Sequence, residues 1–566
     1  MSTVDYIVLI LTLVGIVAYG VYKSRSSRDI EGYFLGNRSM PWFLVLLSIM
    51  GTQASAITFL SGPGQAYSDG MRFVQYYFGL PLAMIVISIW LLPVFSRLNV
   101  VTAYEYLEQR FDRRVRTVTS LLFLVSRGLS TGVSIYAPSL ILSTLFGWNI
   151  YLTNAVMGGI LIIYTVSGGA KAVAYTQQIQ LFIIFGGLIL AGILLVKLMP
   201  AEIGFLDALH VGGSLGKMNI ITTGFESGSF DWSDKYNIWS GLIGGFFLAL
   251  SYFGTDQSQV GRYLTARSLT ESRMGLLMNG FVKVPMQFLI LILGVLVFSF
   301  YQFTSAPVFF NGAVLEKAKQ GKHADSLLLL EHEYERLSSE KTQLAKALSN
   351  QGKPSSTGTG EDVLRTLQMT NDSSNAIRNQ VINFIRTSEM GLDANDNNYV
   401  FLRFVIDYLP QGLVGLLIAI IFLAAWGSIA AALNSLASST MVDLHVPIKG
   451  RTNEYNWSKF YTLIWGLFCV LVACFASEIG NSLIEAVNIL GSLFYGTLLG
   501  IFVTALAFKK VRAQAVLAGI IVSQAAVIAI FCFSDISFLW YNVIGCVVVM
   551  AIAWVMENMR PKHINT

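Results

Sequence analysis

Four stretches put polar side chains inside long apolar runs. The first is Ser48-Ile49-Met50-Gly51-Thr52-Gln53-Ala54-Ser55-Ala56-Ile57-Thr58, continuing to Ser61-Gly62-Pro63-Gly64. Hydroxyls, an amide and a glycine interrupt the run, and Gly-Pro-Gly reads as its end. An interrupted helix in a bilayer releases backbone carbonyls that need a partner, and such carbonyls can hold a cation. The same residues suit a helix bent at Gly51, with its hydroxyls bonded to the preceding turn. The second feature is Arg127, about ten residues into an apolar segment, or roughly 15 Å at 1.5 Å per residue. Unpaired at that depth, it costs at least about 2.5–3.5 kcal/mol. Its planar fork suits a substrate carboxylate, and a structural pair with Asp256 or helix-end carbonyls satisfies it as well. The third is Ser251-Tyr252-Phe253-Gly254-Thr255-Asp256-Gln257, which reads equally as a pathway lining and as a helix reaching the interface. The fourth, Ala424 to Thr440, is rich in Ala, Ser and Gly and by itself indicates close helix contact.

Enzyme chemistry finds no support. There is no His-Glu-x-x-His, phosphate loop or nucleophile elbow. The cysteines Cys469, Cys474, Cys532 and Cys546 lie in apolar segments, without disulfide or metal spacing. The chain of 566 residues is 54% hydrophobic and 13% charged, about half the charge of a soluble protein. It is read as an all-α polytopic membrane protein, and its net charge of +5 carries no nucleic-acid signal.

Apolar runs of roughly 20 residues mark about thirteen spans, near 4–22, 42–66, 74–96, 117–145, 150–167, 176–199, 237–256, 275–303, 400–441, 458–476, 481–507, 513–533 and 536–557. The fourth, eighth and ninth exceed what a bilayer needs. Asp5 before the first run, with no basic leader, argues for a retained helix. Lys and Arg cluster in alternate loops, after the first, third, fifth, seventh, ninth, eleventh and last spans. That pattern predicts an external N-terminus, a cytoplasmic C-terminus and residence in the cytoplasmic membrane. Residues 304–399 form one large external insertion. Leu330, Leu337 and Leu344 recur every seven residues, with Tyr334 and Leu348 on their face, and a second helical pattern runs from about Glu361 to Thr387. A helical hairpin is predicted, either a tolerated insertion or a cap for an external partner or solute.

Together these pieces resemble the sodium:solute symporter family over nearly the whole chain outside 304–399. The resemblance rests on Gly32-Tyr33-Phe34-Leu35-Gly36, Ser61-Gly62-Pro63-Gly64, Tyr164-Thr165-Val166-Ser167-Gly168-Gly169-Ala170-Lys171-Ala172-Val173, Gln257 to Leu264, and Asn434-Ser435-Leu436-Ala437 with Asp443-Leu444. It implies a leucine-transporter-like five-plus-five inverted repeat whose second and seventh spans are broken. The expected division is 1–41 (first helix and cytoplasmic loop), 42–199 (first repeat half), 200–236 (external loop) and 237–303 (start of the second half). The insertion follows at 304–399, then 400–507 completes the second half, and 508–566 adds two helices and a short tail.

The resemblance places a sodium site on Ile49, Thr52, Ala424 and Ser428. A position that is commonly Ser falls on Gly427, which removes a hydroxyl ligand. A second sodium site, which some members have, falls on Gln177, Ala430 and Ala431 and is expected to be absent, leaving one co-transported Na+. Substrate contacts are implied for Gln53, Ser55, Thr58, Gln75, Tyr76, Arg127 and Tyr252. The expected function is sodium-coupled import of a small organic solute across the bilayer by alternating access. Arg127 favours an organic anion, a monocarboxylate or an acidic sugar. The alternatives are a neutral sugar or polyol, proton coupling, and a membrane solute sensor.

Overall fold

The structure, a computed structural model, describes residues 1–23, 35, 38–226, 228–350, 359–388, 394–450, 453–476 and 482–559. Gly32, Tyr33, Phe34, Gly36, the side chains of residues 167–173 and residues 351–358 lie outside them. Among the described residues, nine helices are long and apolar enough to cross a membrane, and four shorter apolar helices join them.

Helix α1 (Thr3–Lys23) precedes the first polar stretch. That stretch is broken, and the break comes earlier than Gly-Pro-Gly: α2 (Trp42–Gln53) stops, Ala54 and Ser55 leave helical geometry, and α3 (Ala56–Asp69) resumes. Pro63 lies inside α3, so Gly-Pro-Gly does not end the helix. Its glycines serve packing instead: a Cβ on Gly64 would lie 1.9 Å from the Asn397 carbonyl oxygen.

Helix α4 (Arg113–Phe146) starts where the Asp112 carboxylate accepts from Val115 N at 3.0 Å and stops at Gly147, which has φ +66°. Helix α5 (Ile150–Lys197) is helical throughout, yet Tyr164 Oη lies 3.0 Å from Thr176 Oγ1. A straight helix would hold residues so spaced about 18 Å apart, so the chain folds back between them.

The seventh span mirrors the second. Helix α6 (Gly245–Thr255) ends at Asp256, whose ψ of 116° is extended, and α7 (Gln257–Tyr263) begins there with Ser258 N donating to the Asp256 carboxylate at 2.7 Å. Asp256 and Gln257 are buried within the protein. Helix α8 (Leu269–Phe303) packs along α2 and α3. Part of the long ninth span is a separate helix, Val400–Tyr408, and α11, defined below, starts after Gly412 at φ +87°.

The insertion contains α9 (Ala324–Asn350) and α10 (Thr359–Arg386), packed on each other. Tyr334 and Leu337 of the seven-residue pattern are buried against Ile377, Val381 and Ile385, whereas Leu344 and Leu348 are partly exposed. The insertion is pinned to α3. Ser61 Oγ donates to Asn398 Oδ1 at 2.6 Å and Ser68 Oγ to Asn397 Oδ1 at 2.7 Å. A buried Arg378–Asp396 pair (2.5 Å) sets the guanidinium 5.3 Å from the Tyr67 ring centroid.

Helix α11 (Leu413–Ser439) is buried almost along its whole length and lies against α1, α2 and α5. The Asp5 carboxylate accepts from Gly412 N (2.6 Å) and Gly415 N (3.2 Å) at its N-terminus, where a negative charge is stabilised by the helix dipole. Helices α12 (Glu454–Ala473), α13 (Leu483–Ala507), α14 (Ala513–Phe533) and α15 (Phe538–Asn558) complete the bundle.

Candidate functional site

Every α-helix leaves its last carbonyls without N–H partners. At the end of α2, Ala54 N bonds to Met50 O (2.7 Å) and Ser55 N to Gln53 O (3.0 Å). The carbonyls of Gly51 and Thr52 are thereby left outside the helical ladder. On α11, which packs against α2, the Ser428 hydroxyl donates to Ala424 O at 2.9 Å. With its proton so directed, Ser428 Oγ keeps its lone pairs for a cation.

The Gln177 amide from α5 ties the two elements together. Its Nε2 donates to Gly427 O (3.1 Å) and Thr52 Oγ1 (3.4 Å), and its Oε1 accepts from Ser48 Oγ (3.1 Å). The ends of Ile49–Thr52 and Ala424–Ser428 thus face each other across one amide. Gly51 makes room for Gln177, since a Cβ there would sit 2.9 Å from the Gln177 side chain. At the positions of the expected second site, the Tyr164 side chain packs on Ala430 and Ala431.

A cavity of about 110 Å³ lies beside the breaks. Its lining includes Gln53, Ser55, Thr58, Tyr76, Arg127 and Tyr252, so six of the seven expected substrate residues meet there. Gln75 does not line it: its Nε2 donates to Tyr236 O (2.9 Å) and Thr222 Oγ1 (3.0 Å), holding the 200–236 loop instead. Tyr77, Asn488 and Tyr495, which the sequence reading did not select, also line the cavity. Tyr76 Oη donates to Asn488 Oδ1 at 3.2 Å, joining the region after α3 to α13.

Arg127 has the carboxylate partner that the sequence left open. Its Nη1 is 3.8 Å from Asp256 Oδ2, which also accepts from Tyr495 Oη at 2.9 Å. The pair is long, and Arg127 Nε has no hydrogen-bond partner. Gln53 Oε1, on the same cavity, has none either. A buried polar atom without a partner costs free energy, and both atoms belong to residues that line the cavity.

Sequence reasoning also missed Lys283. It is buried in α8, its ammonium has no hydrogen-bond partner, and it lies 5.7 Å from the centroid of the Tyr77 ring. Asn279 and Gln287, one turn away on either side, are buried with unpartnered amide atoms. The signal was present: a charge in an apolar run, the same argument that selected Arg127.

Towards the insertion, a vestibule of about 730 Å³ opens beside Asp69, Arg72, Asp234, Lys235 and Glu485. Arg72 pairs with Asp234 (3.3 Å) and Lys235 with Glu485.

Two broken helices, released carbonyls facing a hydroxyl-bearing helix and a small polar cavity beside them define an ion-coupled secondary carrier. The chain belongs to the sodium:solute symporter family, whose model matches residues 33–330 and 377–523. The internal gap in the match, 331–376, takes in much of α9 and α10. The chain is 25% identical to the sodium/sialic acid symporter NanT of Aliivibrio fischeri, covering 100% of this chain and 95% of that one. It is 27% identical to the sodium-dependent multivitamin transporter of Oryctolagus cuniculus (92% and 69% covered). It is 25% identical to sodium-coupled monocarboxylate transporter 1 of Xenopus laevis (91% and 70%). A solved substrate-bound, outward-open Na+-coupled sialic acid symporter superposes with a TM-score of 0.74 at 22% identity, over 99% of this chain and 98% of that one. The fold is the leucine-transporter type, and the protein is a multi-pass, sodium-coupled symporter, not an enzyme.

Proposed function

We propose that this symporter imports a small organic anion with one Na+, and that a hydroxylated monocarboxylate fits its cavity better than an acidic sugar. The observation that carries this is the pairing of an unpartnered Arg127 Nε with an unpartnered Gln53 Oε1 on one small cavity. The guanidinium offers donors to a carboxylate, and the amide oxygen accepts a hydroxyl. Drug-sized ligands occupy roughly 300–1,000 Å³, so about 110 Å³ suits a solute of few heavy atoms.

Sodium is read at Ile49 O, Thr52 O, Ala424 O and Ser428 Oγ, joining the end of α2 to α11. The ion favours whichever conformation holds those elements together, so it shifts the population towards the form that receives solute. Packing of Tyr164 on Ala430 and Ala431 supports a single ion. The charge pattern supports an external N-terminus, a cytoplasmic C-terminus and the cytoplasmic membrane. A neutral sugar is the second reading, favoured by the Asp256 carboxylate 3.8 Å from Arg127, which already offsets its charge.

Proteoliposomes under an inward Na+ gradient test this with lactate, sialic acid and a neutral hexose. Lactate uptake that is lost in Arg127→Ala is expected. Hexose uptake with neither acid carried would overturn the anion reading.

A further inference from the structure

Gly427 is where the chain departs from its family's oxygen set, and the structure fills the gap from another helix. Gln180, on α5, is only 3% exposed. Its Oε1 lies 2.7 Å from the point that a Cβ on Gly427 would occupy, the nearest heavy atom to that point. No hydrogen bond to its amide is formed among the described residues, unlike that of Gln177 one turn earlier, whose amide holds Gly427 O, Thr52 and Ser48. That leaves its carboxamide oxygen free to accept or ligate. Aimed at the bare face of Gly427, it marks an oxygen waiting for a ligand.

We propose that Gln180 Oε1 is a ligand of the transported sodium, supplied by α5 in place of the hydroxyl that Gly427 lacks. The inference rests on the sodium reading at Ile49, Thr52, Ala424 and Ser428. Carboxamide oxygen is a hard, neutral donor of the kind that s-block cations take from Asn and Gln. A glycine at 427 is then required, because a side chain there would crowd the Gln180 oxygen. Gln177 orients the backbone of Gly427 beside it and leaves Gln180 free for the ion. The site would thereby join three elements, α2, α5 and α11, where the family's pattern joins two.

The test is the sodium-induced rise in thermal unfolding temperature of the purified full-length protein in detergent, titrated with NaCl against choline chloride. A ligand raises stability as its concentration exceeds Kd, so the titration reads sodium affinity without any organic solute. Gln180→Ala should weaken apparent sodium affinity at least about tenfold, the usual scale for losing a metal-site partner. Gln180→Met, which keeps the volume without the amide, should weaken it equally. Gly427→Ser added to Gln180→Ala should restore affinity, since the hydroxyl then has both space and role. Ser428→Ala separates the two ideas. If it abolishes the sodium response while Gln180→Ala and Gln180→Met leave affinity unchanged, the sodium site stands and the Gln180 ligand is wrong. If Ser428→Ala leaves the response unchanged, the site itself is misplaced. Full affinity in Gln180→Met would also overturn the proposal, because packing alone would then explain the residue.

Discussion

Arg127 and Asp256 meet at 3.8 Å with Arg127 Nε unpartnered, so neither a simple structural pair nor a bare anion clamp describes them. Asp256 accepts from Tyr495 and caps α7 as well, and Arg127 keeps donors for the cavity. Removing one partner of a buried pair leaves an uncompensated charge and typically costs about 3–5 kcal/mol, whereas removing both together with apolar replacement is far milder. Asp256→Asn should therefore lower the unfolding temperature more than the Arg127→Met/Asp256→Asn double variant does, while both lose anion uptake. A differential scanning measurement beside the uptake assay checks this. If the double variant is the less stable of the two, the charges are not energetically coupled.

Much of the site was legible at this scale. Gln53, Ser55, Thr58, Tyr76, Arg127 and Tyr252 are polar or aromatic side chains in apolar runs, and they converge on one cavity. Gln75 misled because an amide near a helix break looks the same whether it faces a solute or a connecting loop. Gln180 was invisible for the opposite reason: an amide one turn beyond Gln177 has no sequence feature that aims it at Gly427. Only the fold-back of α5 onto α11 does that.

Among the elements, the broken pair α2–α3 and α6–α7 does the positioning. Hydroxyls and Gly51 announced the first break, but its location was misread. Proline is usually a helix breaker, yet Pro63 sits within α3 while the break falls at Ala54–Ser55. The reason lies in packing that sequence does not display. Gly64 lets the Asn397 carbonyl approach, and Gly294 of α8 lets the Pro63 carbonyl approach, where a Cβ would be 2.3 Å away. Gly64→Ala should consequently loosen the insertion from α3, with a cost of about 1–3 kcal/mol for overpacking. Faster hydrogen exchange around Asn397–Asn398 and Ser61–Ser68 is the expected readout, and unchanged exchange would contradict the docking.

The 200–236 loop is tied to the same half-helix through Lys217, whose ammonium donates to Ser68 O. Burial, reinforced by the charges of Arg378 and Arg72 against that of Asp69, pulls Lys217 down to about 8. Its ordinary value is 10.5. Between those values the unfolded chain binds more protons than the folded one, so stability rises with pH across that window. Thermal unfolding should show a rise from pH 8 towards 10 that Lys217→Met removes. Equal slopes in the two proteins would show that Lys217 does not titrate this way.

For the molecule as a whole, the apolar runs and the alternation of basic loops outlined the bundle, and the family's motifs named its repeat. The attachment of residues 304–399 was not legible. A heptad face shows that a helix packs, but not that Asn397 and Asn398 reach across to α3, or that Leu483 N at the start of α13 bonds to the same Asn398 oxygen (3.3 Å). Through that asparagine the insertion touches both a broken helix and the helix that carries Asn488.

Coupling stoichiometry also belongs to the whole molecule. A neutral solute carried with one Na+ moves one charge, and about 100 mV then contributes about 2.3 kcal/mol, or roughly fifty-fold accumulation at about 1.4 kcal/mol per tenfold. A monoanion carried with one Na+ moves no net charge, so only the sodium gradient drives it. Paired fluxes of radiolabelled sodium and lactate into proteoliposomes, with the membrane potential clamped at two values, distinguish these directly. The account predicts one Na+ per lactate, uptake abolished without a sodium gradient, and no response to the potential. Lactate uptake that persists without sodium, or that follows the potential, would contradict it.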